Sequence, residues 1–266
     1  MTDQQPLTAT DLLPVGPLRR LGRQVFVHDT LDSTNGFLLA RASELADGAV
    51  AWAEFQTAGR GRLGRRWEAP RGSAVLLSVL LLEPPGSPVL SFGALLGSLA
   101  ACEAVEAATD CSPAVRWPND IALGGRKLGG VLAESQSIRD RRAIVIGVGL
   151  NCLQHAGHFT GDLADKAVSL DNISTRPVSR AAVAAGLLAC LDHWLGVTAV
   201  EPEGWGSFRA RWRARCDDIG RCVTLEHDGR VFTGTAVDIS AEAGIIVELS
   251  HGGRRSFAAA NTTRVW

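Results

Sequence analysis

Between two apolar runs, Ala49–Phe55 and Ala74–Leu82, the chain carries Gln56-Thr57-Ala58-Gly59-Arg60-Gly61-Arg62-Leu63-Gly64-Arg65-Arg66-Trp67. Glycine lets backbone N–H groups approach a ligand closely, and arginine supplies planar, permanently charged donors suited to carboxylates and phosphates. The whole chain has 27 basic and 28 acidic residues, a formal net charge of −1. A chain so balanced is no general polyanion binder, so the basic site is local. Four arginines between Gly59 and Arg66 imply an anion held there. Repulsion among them and the entropy of the glycines imply a loop that is mobile when empty and orders around its ligand. Composition alone also admits a solvated basic turn or an arginine-rich RNA-binding segment, although the loop lacks the aromatic interleaving of the latter.

Other segments carry groups of complementary chemistry. Ser33-Thr34-Asn35 offers short hydroxyl and amide groups, which cap a helix or contact a ligand. Lys127 follows the turn Gly124-Gly125-Arg126 and opens the apolar run Leu128-Gly129-Gly130-Val131-Leu132. Trp117-Pro118-Asn119-Asp120 reads as a turn with a polar pair at its end, and Gly147-Val148-Gly149-Leu150-Asn151 as a strand ending on an amide. The six histidines have no convincing ligand spacing, and His155 and His158 read as loop residues. The six cysteines are scattered without a C-x-x-C, as free thiols rather than a disulfide frame or a zinc site. No Ser/His/Asp or Cys/His arrangement is evident, so a covalent enzyme intermediate is not required.

The ordered set of segments resembles the biotin–protein ligases. Q-T-x-G-R-G-R-x-G-R-x-W is that family's biotin-binding loop, matched here at Gln56 to Trp67 in every fixed position. Ser33-Thr34-Asn35, Trp117-Pro118-Asn119-Asp120, Lys127-Leu128-Gly129-Gly130-Val131-Leu132 with Glu134, and Gly147-Val148-Gly149-Leu150-Asn151 resemble its other motifs, in its order, although Arg116 stands where lysine is usual. The resemblance implies an enzyme that makes biotinyl-5′-AMP and pyrophosphate from biotin and ATP, with Mg²⁺. It then transfers biotin to a lysine of a biotin carboxyl carrier domain. It assigns Lys127 and Arg62 to catalysis. Ser33, Thr34, Asn35, Gln56, Gly59, Arg60, Gly61, Arg62, Trp67, Lys127, Gly130 and Gly149 fall to biotin. Arg62, Arg65, Trp67, Asn119, Asp120, Lys127 and Asn151 fall to ATP, with Asp120 as a metal ligand. Trp67 is expected over the adenine or as a clasp on the loop, and Asn151 is expected to read the adenine.

These residues need a scaffold, and the hydrophobic pattern supplies one of class α+β: a mixed α/β catalytic domain followed by a small C-terminal β module, which the resemblance makes SH3-like. Strands are expected over residues 24–28, 49–55, 74–82, 115–117, 121–123, 128–135 and 143–150, and helices over 36–45, 90–109, 178–196 and 205–215. Residues 1–22, with Pro6, Pro14, Gly16 and Pro17, read as a loose lead-in, residues 23–216 as the catalytic domain, and 217–266 as the β module, with a turn at Ala243-Gly244. The lead-in is too short for a winged helix, so a monofunctional enzyme without DNA binding is expected. The opening Met1 to Pro6 lacks a secretory pattern, and no run reaches 18 apolar residues, so a cytoplasmic protein without a membrane span is expected. The resemblance leaves a homodimer possible. A lipoate or octanoyl ligase of related fold is the alternative, although it is not expected to carry the Gln56–Trp67 loop.

Overall fold

The computed structural model describes residues 6–200, 203–240 and 244–265. The opening Met1 to Gln5 and Ala243 of the expected turn lie outside the described residues. Seven strands form one mixed sheet: β1 (Val25–Leu31), β2 (Val50–Gln56), β3 (Ala74–Glu83), β4 (Ala114–Arg116), β5 (Asp120–Leu123), β6 (Arg126–Ile138) and β7 (Arg141–Asn151), in the order β1-β2-β3-β7-β6-β5-β4. β1 and β2 run parallel and the remaining pairs antiparallel. β3 and β7, in the middle, are buried along most of their length, as their largely apolar runs require.

Helices α3 (Val89–Ala108) and α4 (Arg180–Thr198) cover one face of the sheet, with α5 (Glu203–Arg215) and α1 (Ala9–Leu12) beside them. By length and hydropathy alone α3 and α4 could cross a membrane, but 67% and 50% of their apolar windows are buried inside this fold. Gly93 and Gly97 let α3 lie against Val131 and Ile146 of the sheet. The opposite face carries α2 (Thr34–Ala40) and the glycine–arginine loop. α2 is shorter than its sequence pattern, because after Ala40 the backbone tightens into turns, Arg41 N–H to Leu38 and Ala42 N–H to Leu39.

The segment before β1 is not the loose lead-in expected. Leu12 and Leu21 are fully buried, the carboxylate of Asp192 on α4 accepts the backbone N–H groups of Arg19, Arg20 and Leu21, and Glu54 accepts that of Leu7. These acceptors sit far away in sequence, which is why local composition could not reveal them. Beyond α5, strands β8 (Cys222–His227), β9 (Arg230–Ser240), β10 (Gly244–Leu249), β11 (Arg254–Phe257) and β12 (Thr262–Arg264) pair antiparallel in the order β11-β10-β9-β8-β12. Val223, Leu225, Ala236, Ile245, Val247 and Phe257 fill their inner side, and that cluster is continuous with the core of the main sheet.

Candidate active site

The register of the sheet brings the chemistry to one edge. Gln56 ends β2 and Asn151 ends β7, beside Ala74 at the start of β3. Gly149 lies between Leu76 and Gly130, and Gly130 lies opposite Asp120 on β5. Side chains alternate along a strand, so Gly147 and Gly149 share one face, and both are filled from above. A Cβ on Gly147 would sit 2.0 Å from Asn35 Oδ1, and one on Gly149 would sit 2.7 Å from the Trp67 ring. The G-x-G spacing is therefore the floor on which α2 and the end of the loop rest. Gly149, assigned above to biotin, has its open face covered by the Trp67 indole. The Trp67 indole N–H is buried there with no hydrogen-bond partner among the described residues.

The loop itself closes as a small hairpin. Gly61 N–H donates to Arg65 O at 2.7 Å, Trp67 N–H to Gly59 O at 3.0 Å, and Arg60 bridges Arg66. Leu63 and Gly64 turn its tip with positive φ of 55° and 74°. A cleft of about 520 Å³ lies between residues 58–66 and Leu132 and Glu134 of β6.

On the β2 side of this cleft the polar groups are already joined. Ser33 caps α2 by accepting from Gly36 N–H at 3.4 Å. Thr34 N–H donates to Gln56 Oε1 at 2.8 Å, and the Thr34 hydroxyl lies 2.7 Å from that of Ser78. Asn35 donates to Glu134 at 2.8 Å and to Leu132 O at 3.1 Å. Arg60 lies 3.0 Å from Glu134.

On the β5–β6 side the charged groups hold one another. Lys127 Nζ is 2.6 Å from Asp120 Oδ1. Asp120 opens β5 rather than sitting in the turn expected of it. Arg62 donates to Asn119 Oδ1 at 3.2 Å, to Thr262 O at 3.1 Å and to Ala259 O, reaching the C-terminal module. Burial lowers its guanidinium from the ordinary value, with Asp120 acting against that and Arg65 adding to it. Arg65 stays exposed. Asn151, expected to read the adenine, donates its amide to Val168 O at 3.1 Å and accepts from Gln154 at 2.9 Å. The segment after β7 thus forms a wall, and its residues 166–168 pair with the backbone of Lys127. Arg116 points away from the cleft, to Gly125 O at 3.0 Å and Asp217 at 3.4 Å. The substitution for lysine therefore serves the joint with the C-terminal module, where Asp218 also accepts the N–H of Trp117 at 2.6 Å.

Sequence reasoning missed Ser78, fully buried on β3, and gave Glu134 no role. A serine interrupting the apolar run Ala74 to Leu82 was the signal that could have found the first. Among the described residues no cluster of three metal-binding side chains occurs.

Known proteins are similar to this chain in sequence and in fold. The sequence model of the biotin/lipoate A/B protein ligase family matches residues 27–151. A biotin–[acetyl-CoA-carboxylase] ligase of Mycobacterium tuberculosis is 35% identical over 244 residues, covering 87% of this chain and 85% of that one. The chain belongs to the biotin/lipoate A/B protein ligase family. Within it, the relatives place this member among the biotin protein ligases. The bifunctional ligase/repressor BirA of Bacillus subtilis is 30% identical over 244 residues, with 90% and 74% covered. The fold agrees with that of a biotin protein ligase from Aquifex aeolicus in complex with biotin and ATP, at a TM-score of 0.75 and 24% identity, covering 91% of this chain and 99% of that one.

Proposed function

We propose that this biotin protein ligase family member joins biotin to ATP, releasing pyrophosphate, and passes the biotinyl group from biotinyl-5′-AMP to a lysine of a biotin carboxyl carrier domain. The observation that carries the reading is the meeting of the Gln56–Trp67 loop, the Thr34–Asn35 polar pair and Lys127 at one sheet edge. A cyclic urea needs donors and acceptors in a pocket shielded from water, since an unpaired buried polar group costs about 1–3 kcal/mol. Thr34, Asn35 and Gln56 supply both kinds. Gly59 packs against the Trp67 carbonyl, Gly61 and Gly130 leave backbone for the acid, and Arg60 covers it.

The chemistry is attack by the acid's carboxylate oxygen on the α-phosphorus of ATP. The phosphorus–oxygen bond to pyrophosphate breaks and carries its electron pair away. Lys127 binds the carboxylate and the α-phosphate oxygens, so its charge offsets the negative charge that builds at the reacting centre. ATP reaches Lys127 by competing with Asp120 for its ammonium. Arg62 and Arg65 are assigned to the phosphates, with Asn119 beside them, and Trp67 closes the loop over the acid. Mg²⁺ binds through one or two carboxylates plus phosphate oxygens. Asp120, a carboxylate at this edge, would hold the ion, whose charge would offset that of the nucleotide's phosphates. In the second half-reaction the acceptor lysine's amine attacks the acyl carbonyl and AMP leaves, again beside Lys127. Purified protein with Mg²⁺ and ATP is expected to exchange labelled pyrophosphate into ATP when biotin is present. Exchange with lipoate and none with biotin would overturn the reading.

A further inference from the structure

Six side chains around the cleft form one continuous path: Arg60, Glu134, Asn35, Ser78, Thr34 and Gln56. They come from the loop, β6, α2, β3 and β2. Glu134 accepts the Asn35 amide N–H at 2.8 Å and lies 3.0 Å from Arg60. Asn35 Oδ1 accepts from Ser78 at 2.6 Å. Ser78 Oγ lies 2.7 Å from the Thr34 hydroxyl, and Thr34 N–H donates to Gln56 Oε1 at 2.8 Å.

The direction of this chain is fixed from its charged end. A carboxylate only accepts and an amide oxygen only accepts. Glu134 therefore turns the NH₂ of Asn35 toward β6, where Leu132 O takes its other hydrogen. The Asn35 oxygen must then face Ser78, whose single proton goes to it. The Ser78 oxygen lies 2.7 Å from the Thr34 hydroxyl, whose proton has two acceptors in reach, Ser78 Oγ and Gln56 Oε1 at 3.1 Å. With either acceptor the Thr34 O–H points into the protein and its oxygen is left able to accept from a ligand. Gln56 Oε1 is taken by the Thr34 N–H, so the Gln56 NH₂ faces the loop beside Gly59. Remove the negative charge and Asn35 can turn over, which turns the Ser78 proton from Asn35 to Thr34. The same carboxylate draws Arg60 across the cleft toward β6.

We infer that Glu134 is a positioning residue for the acid: through Asn35 it sets the donor–acceptor pattern that reads the ligand's polar ring, and through its ion pair it places Arg60, without touching the reacting atoms. The inference rests on the biotin reading above. A residue that only positions the ground-state ligand changes KM and leaves kcat.

The test is pyrophosphate exchange against biotin concentration in wild type, Glu134→Ala and Glu134→Gln, together with trypsin cleavage after Arg60 to Arg66 in the ligand-free proteins. Glu134→Ala is expected to raise the biotin KM roughly tenfold or more, the loss of a hydrogen bond to a charged group, with kcat and the ATP KM near wild type. Glu134→Gln keeps an acceptor for Asn35 and loses the charge, so it is expected to fall between the two. Ligand-free Glu134→Ala is expected to be cut faster than wild type, because Arg60 has lost its anchor. A biotin KM within about twofold of wild type, or a kcat that falls as far as KM rises, overturns the inference. Should the alanine variant not fold, the isosteric Glu134→Gln decides it: a KM raised by about threefold or more supports the role, and a wild-type KM overturns it. If wild type itself shows no biotin-dependent exchange, the substrate reading has failed. The trypsin comparison then judges Glu134 separately, and equal cleavage rates overturn its hold on Arg60.

Discussion

Two sides of one sheet edge are held by different kinds of contact. On the β2 side, Thr34, Asn35, Gln56, Ser78 and Glu134 are locked to one another by short hydrogen bonds among buried or half-buried side chains. That half is already shaped for a neutral polar ligand. On the β5–β6 side, the charged groups are engaged with partners that a nucleotide must displace: Lys127 with Asp120, Arg62 with Asn119 and two carbonyls of the C-terminal module, and Asn151 with Val168 and Gln154. The difference teaches how one loop can serve two substrates. Its Arg60 end belongs to the preformed half and its Arg62 end to the half that rearranges. The acid is expected to bind before the nucleotide, which gains its contacts by exchange.

Substitutions can break this division. Lys127→Ala is expected to have the largest effect, a fall in exchange rate of about 10²–10³-fold, with an unchanged thermal melting curve. Residual activity near wild type would remove the lysine from the chemistry. Arg62→Ala comes next: it is expected to raise the ATP KM by roughly tenfold or more, further than the biotin KM, in initial-rate measurements. An equal rise in both would merge the two ends of the loop into one role. Ser78→Ala is expected to raise the biotin KM by about tenfold and leave the ATP KM alone, since its hydroxyl links Thr34 to Asn35 and touches nothing on the other side. The smallest effect concerns thiols. Burial pushes Cys102, Cys152 and Cys216 each up to about 12, so at pH 8 they stay protonated and inert. Cys222 is exposed. Alkylation at pH 8 is expected to label Cys222 first without loss of exchange. Early labelling of Cys152 would mean that the end of β7 opens.

Much of this was legible in the sequence because the relevant signals are local. The loop, the strand pattern around it and the C-terminal run of short strands follow from glycine spacing and hydrophobic period. What was not legible depends on partners far apart in the chain. Gly149 looked like open floor because nothing near it in sequence says that Trp67 will lie there. Asn151 looked free because Val168 and Gln154 fold back from the following loop. Residues 6–22 looked loose because their hydrogen-bond acceptors, Asp192 and Glu54, lie on other elements. Arg116 looked like a departure inside the site, yet its guanidinium serves the joint at Asp217.

Calorimetric titration of the empty protein with biotin, and separately with lipoate, in the absence of nucleotide tests the preformed half and the substrate class together. The account predicts saturable binding of one biotin per chain and no heat from lipoate. Binding of lipoate without biotin, or no binding of biotin until ATP is added, would contradict it.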